Sequence, residues 1–402
     1  MKIIIINAIY GSKSTGTIVR QLQEHCLKNN VNTYVAYSIA DRKNNKIPNG
    51  YKIGNYITAR WQAILSRISG KQGYYNRLTT WLFILYLKQI KPDVVHLHNL
   101  HSNFINLNML LKYLSNNNIP IIITMHDCWY FTGGCFHYTS VNCKKWQENC
   151  GNCPKRYSDT PAYLFDSSSK ILQDRKKYLN SISKLIMIGC SKWIADECRN
   201  SVLSNIDIRY IYNGFDFNIF KQTESNLREE LDAIDKYIIL APANKWFLPI
   251  NKDTLEYFLK NCPSDTILVF YGCKQNSLLH NNVRCIGYIR NAVEMAKLYS
   301  TADIMVNCSR EDTLSSINIE CQSCGTPVIT YDDTGNKETV DGICGKAIKT
   351  GDYKLLFNTV IEFKNIGKSR LSELCINWTH KNFKLEDSLN KYLELYKEIS
   401  KE

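Results

Sequence analysis

Short strand-like runs of apolar residues alternate with helical patterns along the chain, and the alternation begins a second time near its middle. The first series opens with Lys2–Asn7 and reaches Lys184–Cys190, and the second opens with Tyr237–Ala241 and reaches Pro327–Tyr331. Apolar runs that do not alternate strictly with polar residues are typical of parallel strands buried on both faces. Helical segments between such strands favour doubly wound sheets. The sequence therefore predicts an α/β fold of two Rossmann-like domains.

The chain length agrees with two domains, because 402 residues exceed what one ordinary core accommodates. We predict an N-terminal domain over residues 1–215 and a C-terminal domain over 216–384. The amphipathic segment 385–402 is predicted to be a helix that returns to the N-terminal domain. In open parallel sheets, ligands bind beyond the carboxyl ends of the strands, so the residues at those ends are the first candidates for function.

The formal net charge of +13 is concentrated in one stretch. Residues 42–92 contain no Asp or Glu. The stretch contains ten cationic residues with aromatic residues between them: Arg42, Lys43, Lys46, Lys52, Arg60, Arg67, Lys71, Arg77, Lys88 and Lys91. Such a stretch suits anionic lipid headgroups, a pyrophosphate-bearing acceptor or nucleic acid. The alternative is a solvated basic face without a partner. No recognised nucleic-acid-binding module accompanies it, which disfavours a nucleic-acid-binding protein.

No apolar run is long enough to span a membrane, since Trp81–Leu87 is far shorter than the ~20 residues required. The N-terminal apolar run turns polar at Asn7, which is unlike a secretory signal peptide. We therefore expect a cytoplasmic protein that lies at most peripherally on the inner face of the cytoplasmic membrane. Most of the 16 cysteines are then expected to be reduced thiols.

A strand end and a helix start meet in the second half of the chain. The predicted strand ends near Cys308, a polar loop containing Asp312 follows, and a helix begins near Ser316. Ser315 and Ser316 are predicted to cap this helix, whose N-terminus suits a phosphate group. Glu320 lies about one turn into the helix, where a carboxylate suits a ribose diol. The alternative is an ordinary capped helix with an acid, which many proteins contain without a ligand.

This run resembles the C-terminal motif of the retaining, GT-B-fold glycosyltransferases of family four. Asp312 and Glu320 have the family's acid-x7-Glu spacing, and Gly325–Ile329 continues the motif, although its first acid is usually Glu. Other segments resemble further motifs of the family in the same order along the chain: Gly11–Gly16, Asp93–His98, Thr124–Asp127, Ile211–Asp216 and Cys285–Tyr288. The resemblance implies two Rossmann-like domains whose parallel sheets face a deep interdomain cleft.

The resemblance also implies roles for single residues. Glu320 would bind the nucleotide ribose, and Asp312 the hydroxyl groups of the transferred sugar. The backbone around Gly16, Ser315 and Ser316 would hold the diphosphate. His126 would lie beside the reacting sugar. A cation would neutralise the departing diphosphate, and Lys252 is the first candidate for it and Lys245 the second.

The implied reaction transfers a sugar from a UDP- or GDP-sugar to a saccharide or lipid-linked saccharide, with retention of configuration. We expect it to serve surface-polysaccharide synthesis, such as lipopolysaccharide, O-antigen or capsule. No cofactor is expected in catalysis, since Asp332 and Asp333 are adjacent rather than spaced as a metal-binding Asp-x-Asp pair. A nucleotide-sugar epimerase or another enzyme of the same fold remains the alternative.

Four cysteines within the segment 128–153 form a separate pattern. Their spacing is Cys135-x7-Cys143-x6-Cys150-x2-Cys153, which resembles a four-thiolate zinc loop, although only the last pair has the common Cys-x2-Cys spacing. Structural zinc, free thiols and disulfides all stay open. A subset of bacterial polysaccharide glycosyltransferases carries a loop similar to Trp129–Cys135, which implies a position on the acceptor side.

Overall fold

The computed structural model describes residues 1–40, 47–274 and 280–401. Contacts between residues divide the chain into two compact units. Unit 1 comprises Met1–Asn213 and Ser388–Glu402, and unit 2 comprises Gly214–Asp387. Three cations of the predicted basic stretch, Arg42, Lys43 and Lys46, lie outside the described residues.

Unit 1 contains a parallel sheet with the strand order β3-β2-β1-β4-β5-β6-β7. Its inner strands are apolar on both faces, and Ile3 to Ile6 are fully buried, as expected for strands covered by helices on both sides. The strands are β1 (Lys2–Tyr10), β2 (Asn32–Ala40), β3 (Gly50–Lys52), β4 (Val94–Leu97), β5 (Ile121–Met125), β6 (Leu185–Gly189) and β7 (Asp207–Tyr210). The helices are α1 (Lys13–Lys28), α2 (Tyr56–Ser69), α3 (Arg77–Ile90), α4 (Leu107–Asn116), α5 (Ser168–Leu179) and α6 (Lys192–Arg199).

Unit 2 repeats the arrangement with the order β10-β9-β8-β11-β12-β13, again with parallel pairing. Its strands are β8 (Tyr237–Pro242), β9 (Thr266–Tyr271), β10 (Val283–Ile286), β11 (Ile304–Asn307), β12 (Val328–Tyr331) and β13 (Gly345–Ile348). Its helices are α7 (Leu227–Glu230), α8 (Ala243–Trp246), α9 (Lys252–Asn261), α10 (Ala292–Thr301), α11 (Ser316–Ser323), α12 (Tyr353–Ile366) and α13 (Lys368–Asn382). The predicted pair of Rossmann-like α/β units is confirmed.

The last helix, α14 (Leu385–Lys401), packs on the sheet of unit 1. The Tyr396 hydroxyl lies 2.6 Å from Nδ1 of His96, and the Tyr392 hydroxyl lies 2.9 Å from Oγ1 of Thr124. Since His96 and Thr124 lie on β4 and β5, these contacts fasten the helix to the centre of the sheet. The predicted return of the C-terminal helix is confirmed.

Two local predictions differ from the structure. The sequence pattern predicts a loop over Ala8–Gly16 and a helix from Thr17, but β1 extends to Tyr10 and α1 already begins at Lys13. The sequence pattern also predicts one helical region over roughly Tyr56–Ile90. The structure has two helices there, because Gly70 ends α2 in the left-handed conformation, with φ of 67°. Within the described ranges, no helix combines the length and the apolar character that crossing a bilayer requires.

Candidate functional site

A pocket of about 240 Å³ opens in unit 2 beyond the carboxyl ends of β8, β9 and β11. Lys245 and Asp312 bring opposite charges to its wall, and Ser315 and Ser316 bring the start of α11. The remaining lining residues are Pro242, Asn244, Tyr271, Gly272, Tyr288, Ile289, Met295 and Ile317. This is the edge at which open parallel sheets bind ligands. The structure thus brings four of the predicted site residues to one pocket.

The loop between β11 and α11 is held by buried hydrogen bonds. Nδ2 of Asn307 donates to Oγ of Ser315 at 3.0 Å and to Oδ1 of Asn318 at 2.8 Å. The Asp312 backbone N–H donates to Oγ1 of Thr334 at 3.2 Å, and the same hydroxyl donates to the Asp312 carbonyl at 2.6 Å. Because both ends of the loop are fixed, the Asp312 side chain has a defined position at the pocket.

The N-terminus of α11 differs from the prediction. Ser315 occupies the N-cap position, but its side chain makes no capping hydrogen bond. Its hydroxyl accepts the bond from Asn307 instead, and the Ser316 hydroxyl bonds the Glu320 carboxyl. The Ser315 side chain therefore does not cap the first turn, where backbone N–H groups and the helix dipole favour an anion.

The two candidate lysines occupy different surroundings. Nζ of Lys245 lies 3.5 Å from Oδ2 of Asp312 at the pocket, and its side chain is 24% exposed. Lys252 begins α9, is 72% exposed and lies 3.6 Å from Glu256. It is not among the described residues that line the pocket. The short helix α8, anchored by a 2.8 Å bond from Trp246 Nε1 to the Val306 carbonyl, is what brings Lys245 to this position.

Glu320 lies behind the pocket wall rather than on the wall. It is not one of the described lining residues, but the adjoining Ser316 is. Burial raises the pKa of the Glu320 carboxyl to about 7, although hydrogen bonds from Tyr299, at 3.3 Å, and Ser316 favour its charged form. The carboxyl therefore changes charge near neutral pH, and a group that donates hydrogen bonds to it would hold it ionised.

In unit 1, several histidines lie together beyond the carboxyl ends of the strands. His98 follows β4 and His126 follows β5, and Nδ1 of His98 lies 2.9 Å from Nε2 of His126. Asp127 accepts a hydrogen bond from the Trp129 backbone N–H at 2.9 Å, and its Oδ2 lies 3.1 Å from Nε2 of His101. The predicted residue His126 is thus part of a cluster that also contains a carboxylate.

The histidine pair is neutral at neutral pH. Burial lowers the pKa of His126 to about 4 and lowers the pKa of His98 well below its usual value. Nε2 of His98 is buried and has no hydrogen-bond partner among the described residues, which favours its being the unprotonated nitrogen. His98 then donates from Nδ1 to Nε2 of His126, and Nδ1 of His126 carries the proton. His126 is therefore suited to exchange hydrogen bonds rather than to bind an anion as a cation.

Gly16 lies in unit 1, in the first turn of α1 beside β1. A Cβ atom there would lie 3.1 Å from both the Ile9 side chain and the Ile9 carbonyl, and 3.3 Å from the Gly11 nitrogen. This glycine allows the helix start to lie close to the strand, at the same sheet edge as His98 and His126.

One small cavity of about 20 Å³ is lined by Cys135, Cys143, Cys150 and Cys153. All are free thiols, and burial raises the pKa values of Cys135, Cys150 and Cys153. The Gly133 backbone N–H bonds the Cys150 sulfur, and the Lys155 N–H bonds the Cys153 sulfur. Among the described residues, no group of three or more His, Cys, Asp or Glu side chains is arranged to hold a metal ion as it stands.

Some residues of these sites were not predicted as site residues. Tyr288 is 79% exposed and lines the pocket of unit 2, and His98 and His101 complete the cluster in unit 1. The buried Arg175 donates to the carbonyls of Trp129 and Thr132 and lies 4.0 Å over the Trp129 ring, so it fixes the segment that follows His126. The spacing of His98 and His101 at a strand end was a usable signal, whereas nothing in the sequence distinguishes Arg175.

Family comparisons match both units. A model of Glycosyltransferase Family 4 matches residues 15–218, and a model of glycosyl transferases group 1 matches residues 264–373. The Escherichia coli protein WcaC, whose name provisionally describes a glycosyl transferase of colanic acid biosynthesis, is 24% identical over 272 residues. That match covers 64% of this chain and 64% of WcaC. The chain thus spans less than two thirds of the length of the curated relatives it matches.

Solved structures match over nearly the whole chain. Sucrose-phosphate synthase from Thermosynechococcus elongatus has a TM-score of 0.70 at 17% identity, covering 99% of this chain and 98% of that one. Anabaena HepE in complex with UDP-glucose has a TM-score of 0.64 at 14% identity, covering 99% of this chain and 100% of that one. These likenesses confirm the GT-B fold class.

Proposed function

This chain belongs to glycosyltransferase family 4, and from that premise we propose that it transfers a sugar from a nucleotide-sugar donor to a saccharide acceptor. The observation that carries the proposal is the pocket of unit 2, where Lys245, Asp312 and the N-terminus of α11 share one wall. A nucleoside diphosphate bears a ribose diol and two phosphates. The pocket wall offers groups suited to the phosphates, and Glu320, behind the adjoining Ser316, is suited to the diol.

The donor would be held as follows. The N–H groups of the first turn of α11 and the Lys245 ammonium would bind the diphosphate. Glu320, reached past Ser316, would accept hydrogen bonds from the ribose diol. Asp312 would accept hydrogen bonds from the transferred sugar, and the exposed ring of Tyr288 offers an apolar face to the base. UDP and GDP remain equal candidates.

The transfer breaks the bond between the anomeric carbon and the phosphate oxygen and forms a bond to the acceptor oxygen. Negative charge develops on the departing diphosphate, and a fixed cation with a helix N-terminus stabilises that charge. We propose Lys245 rather than Lys252 for this role, because Lys245 lines the pocket, whereas Lys252 is 72% exposed and is not among the described lining residues. In unit 1, neutral His126 would bond a hydroxyl group near the reacting carbon.

We propose retention of configuration and catalysis without a metal ion, in line with the resemblance. The departing phosphate oxygen takes the acceptor proton on the same face of the sugar, so no second carboxylate has to act as a base or nucleophile. The acceptor would be a growing surface polysaccharide or a lipid-linked saccharide, a proposal supported by the likeness to WcaC.

The enzyme class is tested by measuring nucleotide release from a panel of UDP-, GDP-, dTDP- and ADP-sugars. We expect one donor to be consumed and the rate to fall about 10²-fold in Asp312→Asn, because an interaction made to the reacting sugar is lost. The control is Asp332→Asn, since Asp332 accepts bonds from Thr350 and does not line the pocket. Conversion of the donor to an epimer without transfer would instead indicate an epimerase. Consumption of no donor, with no rise in melting temperature, would refute the proposal.

We further propose that the segment 128–153, called the Cys loop from here on, holds one structural zinc ion between Cys135, Cys143, Cys150 and Cys153. The four thiols line one cavity, and two of the sulfurs already accept backbone N–H bonds of the kind that stabilise zinc-bound thiolates. Zinc binding requires the thiols to turn into this cavity. Four thiolates leave no open position, so the ion would stabilise the loop and take no part in the transfer.

Metal analysis of the purified chain tests the zinc proposal. We expect about one zinc per chain, lost in Cys150→Ser together with several degrees of melting temperature. The control Cys198→Ala removes a buried thiol outside the loop and should keep the metal. A metal-free wild-type chain in which all four loop thiols react with a thiol reagent would contradict it.

A further inference from the structure

Helix α2 is unusual because almost none of its side chains is fully buried. Of its residues Tyr56–Ser69, only Ser66 is buried. Its apolar side chains point outward, with Ile57 67% and Trp61 62% exposed. The other exposed apolar side chains of the helix are Tyr56, Ile64, Leu65 and Ile68. Residues 57, 61, 64, 65 and 68 follow helical spacing and lie on one side, so the helix presents an apolar stripe to solvent.

Helix α3 adds a second stripe of the same kind. Its inner side, with Phe83 and Leu87, is buried in unit 1. Its outer side exposes Leu78, Trp81, Leu82 and Leu85, again at helical spacing. The two helices approach each other where Gly54, just before α2, lies against Thr79 in the first turn of α3.

The loop 163–165 extends the exposed surface at the other end of α2. The Tyr163 N–H donates to the Arg67 carbonyl at 2.6 Å, and the N–H groups of Leu164 and Phe165 lie 3.3 Å from the Ile68 carbonyl. All three side chains of this loop are exposed. We call the exposed apolar side chains of α2, α3 and residues 163–165 the apolar face. Monomeric soluble proteins rarely expose so many neighbouring apolar groups without a partner.

The charged side chains of residues 42–92, which include α2 and α3, are all cationic, because this part of the sequence contains no Asp or Glu. Among the described residues, none of Arg60, Arg67 and Arg77 takes part in an ion pair, and all three are exposed. The Arg60 guanidinium lies 4.9 Å from the Tyr56 ring centroid, beside the apolar stripe. Long cationic side chains that flank apolar and aromatic groups are typical of surfaces that enter a lipid headgroup layer.

We propose that the apolar face docks on an anionic lipid bilayer, with α2 lying in the plane of the headgroups. The aliphatic and aromatic side chains would enter the boundary with the acyl chains, and the arginines would contact lipid phosphates. The proposal rests on the proposed function in one respect: a lipid-linked acceptor would reach the enzyme at the surface of the bilayer. Binding is measured without turnover, so its failure would leave the proposed sugar transfer untouched.

Co-sedimentation of the full chain with vesicles tests the docking. Vesicles of phosphatidylcholine alone are compared with vesicles that also contain phosphatidylglycerol. Each lysine or arginine near an anionic surface contributes about fivefold to partitioning, so Arg60→Gln with Arg67→Gln should lower binding to the anionic vesicles about 25-fold. Ile57→Ser with Trp61→Ser should lower it by at least about tenfold. The control, Ile343→Ser with Lys260→Gln, removes one exposed apolar and one exposed cationic side chain in unit 2 and should bind like the wild type.

Quenching by brominated lipids gives a second readout that does not depend on the amount bound. Trp61 and Trp81 are exposed on the apolar face, so their fluorescence should be quenched, and Trp61→Phe with Trp81→Phe should abolish that quenching. Equal binding of the wild type to both kinds of vesicle, or no binding, would overturn the proposal. A wild-type dimer that Trp61→Ser makes monomeric, without vesicle binding, would show that a second copy of the chain covers the face.

Discussion

The Glu320→Gln substitution removes a carboxyl whose pKa is raised by burial from 4.5 to about 7. Between these two pH values the folded chain keeps a proton that the unfolded chain has released. The contribution of this carboxyl to the free energy of unfolding is therefore fully present below pH 4.5 and is lost as the pH rises through 7. The difference of 7 − 4.5, or about 2.5 in pKa, corresponds to about 3 kcal/mol. Above pH 7 the buried carboxyl is ionised, and the wild-type fold is destabilised by this full amount. The glutamine variant is neutral at every pH and is not destabilised in this way.

Urea unfolding of wild type and variant at about pH 4.5 and about pH 9 measures this difference. Between the two pH values, the wild type should lose about 3 kcal/mol more than Glu320→Gln. The control Glu256→Gln removes a surface carboxyl, 62% exposed, and should follow the wild type. Parallel pH dependences of wild type and Glu320→Gln would refute the reasoning that burial suppresses ionisation of this carboxyl.

The same carboxyl links donor binding to pH. A ribose diol donates hydrogen bonds, so it favours the ionised carboxylate and lowers its pKa. Donor affinity of the wild type should therefore rise as the pH increases through 7, whereas that of Glu320→Gln should stay level. Calorimetric titration with the intact nucleotide-sugar, whose diphosphate does not ionise near pH 7, measures both affinities. A level wild-type profile would show that Glu320 does not bind the ribose.

Further predictions concern the cation, the histidine and the reaction course. Lys245→Met should lower the rate of nucleotide release about 10²-fold, whereas Lys252→Met should change it little; equal effects in steady-state kinetics would contradict the choice between them. Because burial lowers the pKa of His126 to about 4, NMR should show its ring neutral throughout pH 6–9, and a titration near 6.5 would contradict the buried pair. The product should keep the donor's anomeric configuration by NMR and form in excess EDTA, and an inverted product or loss of activity would contradict the proposed course.

The sequence was most informative where strands are buried on both faces. Runs such as Ile3–Ile6 and Ile121–Met125 consist almost wholly of residues that belong in a parallel sheet, so their positions could be predicted within a few residues. The edge strands Gly50–Lys52 and Asp207–Tyr210 were missed because an edge strand is short and partly solvated, and its polar residues do not distinguish it from a loop. The sequence pattern predicts a loop at Gly16, but this glycine lies in α1, where it allows the helix to approach Ile9 closely.

The candidate site was predictable in its residues but not in its geometry. The spacing of Asp312 and Glu320 placed both beside one strand end, yet no pattern could show that Ser316 stands between Glu320 and the pocket. The two lysines were ranked by spacing alone. Their positions depend on the short helix α8 and on the 3₁₀ turn Pro249–Asn251, which turns the chain before Lys252. Such short elements follow from tertiary contacts, among them the bond from Trp246 to β11, rather than from local propensity.

The account depends most directly on where the donor nucleotide binds. A crystal structure of the chain with the nucleoside diphosphate of its donor measures this. We expect the phosphates beside the backbone of Ser315 and Ser316 with the Lys245 ammonium in contact, and the ribose hydroxyls at the Glu320 carboxylate. A nucleotide bound to unit 1 alone, or one in unit 2 that leaves Lys245 and α11 without contact, would contradict the account.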